Sequence, residues 1–204
     1  MYKSLWSCLN DQNMYELSYN LDREYNAESG MYKDISLYNF VDNHDVNRAV
    51  SALTSPERHL HLLYGLLFTI PGIPSVYYGS EYGIGVMRKV DCDYELRPPL
   101  PPFAQLPDFT QPGFDAGFIR TSIETFAKIR RSHPALQRGS YRQEFIANRQ
   151  FAFWRECSEE RILIIVNSDF GQGFISLPSV PAGEYENLFD GTVYHSDNLR
   201  DLQL

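Results

Sequence analysis

The sequence predicts an α/β segment followed by an all-β segment, and three observations carry that prediction. Leu37, Tyr38, Phe40 and Val41 form a short, nearly continuous apolar run that stops abruptly at Asp42-Asn43-His44-Asp45. A second apolar run, Ser75 to Tyr78, stops just as abruptly at Gly79-Ser80-Glu81, with a helical pattern between the two. From Ala135 onward the hydrophobic period changes from helical to strand-like. Short apolar runs bounded by turn signals suit strands buried on both faces. Two such strands joined through a helix make a parallel βαβ unit, so their polar ends share one rim.

In chain order, nothing in Met1–Gly30 carries the usual signs of a domain start. Tyr15, Leu17, Leu21 and Tyr25 recur at near-helical spacing, with Asp11 or Asn13 as caps and Asn26–Gly30 as the stop, which predicts an amphipathic surface helix. The first strand then delivers Asp42, Asn43, His44 and Asp45 to its C-terminal end, where parallel α/β folds keep their chemistry. Asp and Asn are also favoured helix caps, so a polar capping loop stands beside the functional reading. Val46–Ser55 reads as a loop, in which Arg48 either pairs with the acids or is solvated at the surface.

Ser55-Pro56-Glu57 opens a helix with a capping residue and a proline at the first position, and Pro71-Gly72 ends it. His59 and His61 lie on it without metal-ligand spacing and are expected to be exposed or capping. Beyond Glu81 runs a long irregular tract: a Gly-rich piece, the charged stretch Arg88–Arg97, then the extended run Pro98-Pro99-Leu100-Pro101-Pro102. Gly117–Ser132 is the clearest helix, with Ile119, Ile123, Phe126, Ala127 and Arg130 on one face and basic residues near its C-terminus. His133-Pro134 ends it, and His133 reads as a helix-end residue. Tyr141–Ile146, Phe151–Arg155, Arg161–Asn167, Gly173–Leu177, Glu184–Asn187 and Thr192–Tyr194 are short strand-like runs bounded by turn residues, which predicts an antiparallel sandwich with Trp154 in its core.

Phe40-Val41-Asp42-Asn43-His44-Asp45, followed by Gly72-Ile73-Pro74-Ser75-Val76-Tyr77-Tyr78-Gly79-Ser80-Glu81, resembles the seventh and eighth barrel strands of the α-amylase family of glycoside hydrolases (family 13). The likeness continues through Ile119–Ser140 and into the C-terminal strands. It implies the C-terminal part of a TIM (β/α)8 barrel over residues 1–134, entered at the sixth helix, and a β-sandwich domain over 135–204. By the family motif Asp45 matches the carboxylate that stabilises the transition state, and His44 matches the substrate-binding histidine. Asn43 would orient them, while Asp42 and Glu81 would support or cap. Asp93 and Arg97 sit about where the family has a sugar-contacting Asp and Arg, although Tyr94-Glu95-Leu96 departs from the usual run; an Asp93–Arg97 pair that pins the loop is the alternative. The strands that carry the family's nucleophile and general acid have no match, and Asp34, Glu57, Asp91 and Asp115 follow no recognisable buried strand. The family's calcium ligands would also lie upstream, so no cofactor or metal is expected on these residues.

Composition fits that reading. The 204 residues are 43% hydrophobic and 22% charged, an ordinary globular balance, and 14% aromatic, which suits a core and sugar-stacking platforms alike. A net charge of −8 argues against nucleic acid or an anionic membrane as partner. Cys8, Cys92 and Cys157 are odd in number and widely spaced, so neither a disulfide framework nor zinc is expected, and a reducing, cytoplasmic compartment is preferred. No apolar run reaches the roughly 18 residues of a membrane span, and no signal-peptide pattern follows Met1.

The expected activity is therefore that of a retaining glycosidase acting on α-1,4-glucans or maltooligosaccharides, with this chain supplying only part of the machinery and prone to self-association through an open barrel edge. Isomerases and transglycosylases share the family, and the residues that would choose among them are not in this sequence. Two alternatives are a non-catalytic carbohydrate-binding or regulatory remnant, and a scaffold whose Pro98–Pro102 run recruits an SH3- or WW-type partner.

Overall fold

The computed structural model describes residues 1–102, 105 and 115–203. Two helices, α1 (Tyr2–Asn10) and α2 (Met14–Tyr25), open the chain and pack on each other. The Asn13 side chain caps α2 by accepting the Tyr15 N–H at 3.2 Å. α2 buries Met14, Leu17 and Leu21 completely, and α1 buries Leu5, Cys8 and Leu9, so this pair is a wall of the core. The sequence reading anticipates one helix here. It misses α1 because Ser4 and Ser7 interrupt the apolar pattern; both are buried, their hydroxyls turned back onto the carbonyls of Met1 and Lys3 at 2.9 Å.

The parallel pair follows. β1 (Tyr38–Phe40) and β2 (Ile73–Ser75) run in register Tyr38↔Ile73, Asn39↔Pro74 and Phe40↔Ser75, joined through α3 (Ala49–Ala52) and α4 (Pro56–Thr69). The βαβ unit is as expected, with three corrections. β2 begins two residues before the expected Ser75. The expected Val46–Ser55 loop contains α3, whose first amide, Ala49 N–H, donates to the Asp42 carboxylate at 2.9 Å. Neither strand is buried on both faces: Tyr38 is 65% and Ile73 54% exposed, because among the described residues this sheet has two strands. At Gly72 the backbone turns through φ +105°, where a side chain would meet the Leu37 carbonyl.

α4 starts at Pro56 as expected, but its cap, Ser55, contributes its carbonyl rather than its hydroxyl, accepting from Arg58 and His59. The two α4 histidines correct another expectation. His59 is buried, stacked on Phe170 with Nε2 3.4 Å from the Ser168 carbonyl. His61 is half-buried between Phe118 and Phe126, with Nδ1 2.9 Å from the Ser122 hydroxyl. Desolvation lowers the pKa of both.

α5 (Ala116–Ser132), capped by Asp115, packs along α4. Its Arg130 is buried and does more than complement the helix dipole: it donates to the carbonyls of Phe68, Ile70 and Gly72, closing the C-terminal end of α4. A short helix, α6 (Pro134–Arg138), follows His133 where strand structure was expected to begin. His133 is a helix-end residue, its Nδ1 2.8 Å from Glu160.

β3 (Ser140–Ile146), β4 (Gln150–Glu156) and β5 (Arg161–Asn167) form an antiparallel meander with a register shift between Gln143 and Phe145. Strand alternation divides β4. Phe151 and Phe153 join the helical core, whereas Ala152 and Trp154 face a second cluster with Ile175, Leu177, Val180 and Leu199. That cluster is covered by two further sheets: β6 (Phe174–Ser176) pairs with β9 (Asp201–Gln203), β7 (Glu184–Glu186) with β8 (Val193–His195), and α7 (Ser196–Arg200) links the last two strands. The antiparallel layers and the buried Trp154 agree with expectation; α7 and β9 are additions. The first core crosses the expected division at residue 134, since Tyr141, Phe151, Phe153 and Val166 are part of it.

Candidate functional site

The rim at the C-terminal end of β1 carries the polar residues that the sequence singles out. Asn43 forms a turn in which its side-chain oxygen accepts the Asp45 N–H at 2.8 Å, fixing where Asp45 leaves the backbone. Asp45 projects into solvent, 54% exposed, with its two carboxylate oxygens held from opposite sides. His44 Nε2 lies 3.0 Å from Oδ2, and Arg97 Nη2 lies 3.1 Å from Oδ1. Arg97 also reaches the His44 carbonyl through Nε at 3.4 Å. Three of the expected residues, more than fifty positions apart at the extremes, thus meet at one carboxylate. The His44 ring lies 6.4 Å from that of Tyr77, which follows β2.

Asp93 is not part of this cluster. Its Oδ1 accepts from Arg88 at 3.2 Å, which corrects the expectation that a pinning pair, if present, would join it to Arg97. Asp93 begins the 3-10 turn Tyr94–Leu96 that ends at Arg97, so the two residues share a loop without a contact.

Beneath the exposed cluster lies a buried one. Asp42 accepts from Arg48 Nε at 3.1 Å, from Ala49 N–H, and from the Ser80 hydroxyl at 2.7 and 2.9 Å. Burial raises its pKa, opposed by these donors. Of the two readings for Arg48, pairing with the acids is the one observed. Arg48 is fully buried and lies 4.8 Å beneath the Tyr77 ring. Asp42 is therefore a supporting and capping acid, as expected. The neighbouring Glu81 has one buried carboxylate oxygen without a hydrogen-bond partner. The four acids weighed as further catalytic groups stand elsewhere: Asp115 caps α5, Glu57 lies in the first turn of α4, and Asp34 and Asp91 are exposed loop residues. Among the described residues no cluster of three metal-ligating side chains occurs. No described helix is long and apolar enough to cross a membrane.

Sequence reasoning missed Ser80 as a partner of Asp42 and Tyr77 as a neighbour of His44. The first signal was available in the expected side-by-side rims; the second depends on how far the chain turns after β2. Chemically, the rim presents a preorganised carboxylate with an imidazole and a guanidinium beside it, a group able to accept hydroxyl hydrogen bonds and to stabilise nearby positive charge.

Comparison with known proteins places the chain in a family. Residues 7–151 match the family described as "Alpha amylase, catalytic domain". "Alpha-amylase 2" of Dictyoglomus thermophilum is 31% identical over 178 residues, covering 85% of this chain and 29% of that protein. A cyclomaltodextrin glucanotransferase of Niallia circulans is 26% identical over 189 residues, covering 90% of this chain and 24% of that one. The chain belongs to the alpha-amylase family. It spans between about a quarter and three tenths of the length of these two relatives. The fold agrees: a solved cyclomaltodextrinase superposes on the whole chain with a TM-score of 0.80 at 21% identity, over 34% of its own length. An Anoxybacillus alpha-amylase does so with a TM-score of 0.71 at 21% identity, over 43% of its length.

Proposed function

We propose that this chain is the C-terminal part of an alpha-amylase-type retaining glycosidase acting on α-1,4-glucans or maltooligosaccharides. Residues 1–134 would supply the seventh and eighth strands of a (β/α)8 barrel, and residues 135–204 the C-terminal β domain. The observation that carries the reading is the Asp45 carboxylate clamped between His44 and Arg97 at the end of a parallel strand.

Retention requires a nucleophilic carboxylate and a proton-donating carboxyl about 5–5.5 Å apart, with positive charge developing on the sugar ring. Asp45 would act on that charge as a third carboxylate, its spare lone pairs directed to sugar hydroxyls. His44 would hydrogen-bond the sugar, Asn43 would fix the turn that presents both, and Arg97 would hold the Asp45 carboxylate in orientation. Asp93 would contact the sugar from the same loop as Arg97. The nucleophile and general acid would come from the part of the protein that its relatives have and this sequence lacks. The 204-residue chain alone would therefore be inactive and would self-associate through the exposed Tyr38 and Ile73 edge.

Calorimetric titration of maltooligosaccharide onto the chain, with reducing-end release followed in parallel, tests this. The reading expects weak binding that is lost in Asp45→Ala, and no turnover. Binding that survives Asp45→Ala would favour a non-catalytic carbohydrate-binding protein. Turnover by an unaided monomer would refute the missing-carboxylate argument.

A further inference from the structure

Arg48 ties together the three segments of the rim. Its guanidinium is completely buried and uses all three nitrogens. Nε donates to Asp42 at 3.1 Å, at the end of β1. Nη2 donates to the Tyr78 carbonyl at 2.6 Å and to the Ser80 hydroxyl at 3.1 Å, in the segment after β2. Nη1 donates to the Leu96 carbonyl at 3.1 Å, the residue immediately before Arg97. Its Cζ lies 4.8 Å from the centre of the Tyr77 ring, the ring beside His44. Gly79 turns through φ +81° beside it; a side chain there would strike Ile84.

The bond to Leu96 matters most. The Tyr94–Leu96 turn is otherwise attached lightly: Tyr94 and Glu95 are exposed, the salt bridges Arg88–Asp93 and Lys89–Glu95 stay within the loop, and the ties of Arg97 to Asp45 and of the Tyr78 hydroxyl to the Pro98 carbonyl at 3.0 Å come after the turn. Leu96 alone of that turn is buried, and its carbonyl is the acceptor for Arg48. Fixing the Leu96 carbonyl fixes the peptide that launches Arg97 toward Asp45.

We propose that Arg48 is a positioning residue: it acts through Leu96 to place the Arg97 guanidinium on Asp45, and so presets the carboxylate for a glucan. This rests on the sugar-binding role proposed for Asp45, His44 and Arg97. A planar fork is required, because four acceptors in three directions are beyond a single ammonium group. Arg48→Lys keeps the charge beside Asp42 and gives up the reach to Leu96.

The test has two arms. In the first, the Arg97 side-chain Nε–H resonance is followed by NMR in the wild type and in Arg48→Lys, with the β3–β5 amide resonances reporting the fold. The proposal expects an ordered Arg97 signal that becomes averaged in the variant while the sheet signals stay. An unchanged Arg97 signal would overturn it. Should Arg48→Lys not fold, Asp42→Asn loosens the same guanidinium with little change of shape, and the same two outcomes decide. In the second arm, maltooligosaccharide affinity is measured for Arg48→Lys, Arg97→Ala and the double variant. Each single change should weaken binding about tenfold, roughly one step of 1.4 kcal/mol, and the double variant should be no weaker than Arg97→Ala. Additive losses would mean that Arg48 acts elsewhere. A wild-type chain that binds no sugar would defeat the proposed function, and the first arm would still decide the positioning role.

Discussion

The two sheets flanking the helical core differ most in how they are covered: the antiparallel meander is closed and the parallel pair is open. Each strand of β3–β5 is seven residues long, and β4 is covered on both faces, with Phe151 and Phe153 against the helices and Ala152 and Trp154 under the small sheets. β1 and β2 are three residues long, and Tyr38 and Ile73 face solvent. Parallel sheets are found with both faces covered, because their crossover helices lie on the two faces. The meander is thus a finished structure. The parallel pair carries the candidate chemistry and, among the described residues, has no further strand beside it.

That contrast can be broken by mutation. Trp154 is fully buried and its indole N–H donates to Glu144 at 2.7 Å, so Trp154→Ala should cost about 3–5 kcal/mol in a urea titration. Next comes Arg130→Ala, which strands the carbonyls at the end of α4 and should cost about 2–3 kcal/mol by the same measurement.

A smaller effect comes from pH. His59 and His61 have folded-state pKa values below those of the unfolded chain, so the unfolded state binds more protons as the medium acidifies. The cause is visible at His59: if Nε2 donates to Ser168, a second proton would go onto Nδ1, a buried nitrogen without a partner. Their contribution is intact above the unfolded value of about 6.5 and is lost as pH falls from there toward the folded values. His59→Gln with His61→Gln should flatten the stability profile between about pH 7 and 5.

The smallest stability effect belongs to the open sheet. Ile73→Ser should change unfolding free energy by about 0.5 kcal/mol or less. It should nevertheless reduce self-association in sedimentation velocity. A loss as large as that of Trp154→Ala would mean that the parallel pair is already covered in solution.

Much of this was legible in the sequence because it is local. The βαβ order, the Pro56 helix start, the Asp42–Asp45 rim and the six antiparallel runs each show in contiguous residues. Misses came where distant partners decide. Arg130 occupies an apolar-face position of α5, but its acceptors lie about sixty residues away, at the end of α4 and just beyond it. Arg48 meets Leu96 across forty-eight positions, and no periodicity announces that. His59 carries no local sign of burial, because Phe170, which stacks on it, lies more than a hundred positions away. The rim residues themselves were placed by motif, yet the Arg97–Asp45 contact emerged only once the loop was folded back.

The most direct measurement is the mass of the native protein in its source cells, detected with an antibody raised against residues 135–204. A band well above the 23.6 kDa of this sequence is expected, carrying further barrel strands and their carboxylates. A single band at 23.6 kDa would contradict it and leave Asp45 and His44 as a sugar-binding rim without a catalytic partner in the same chain.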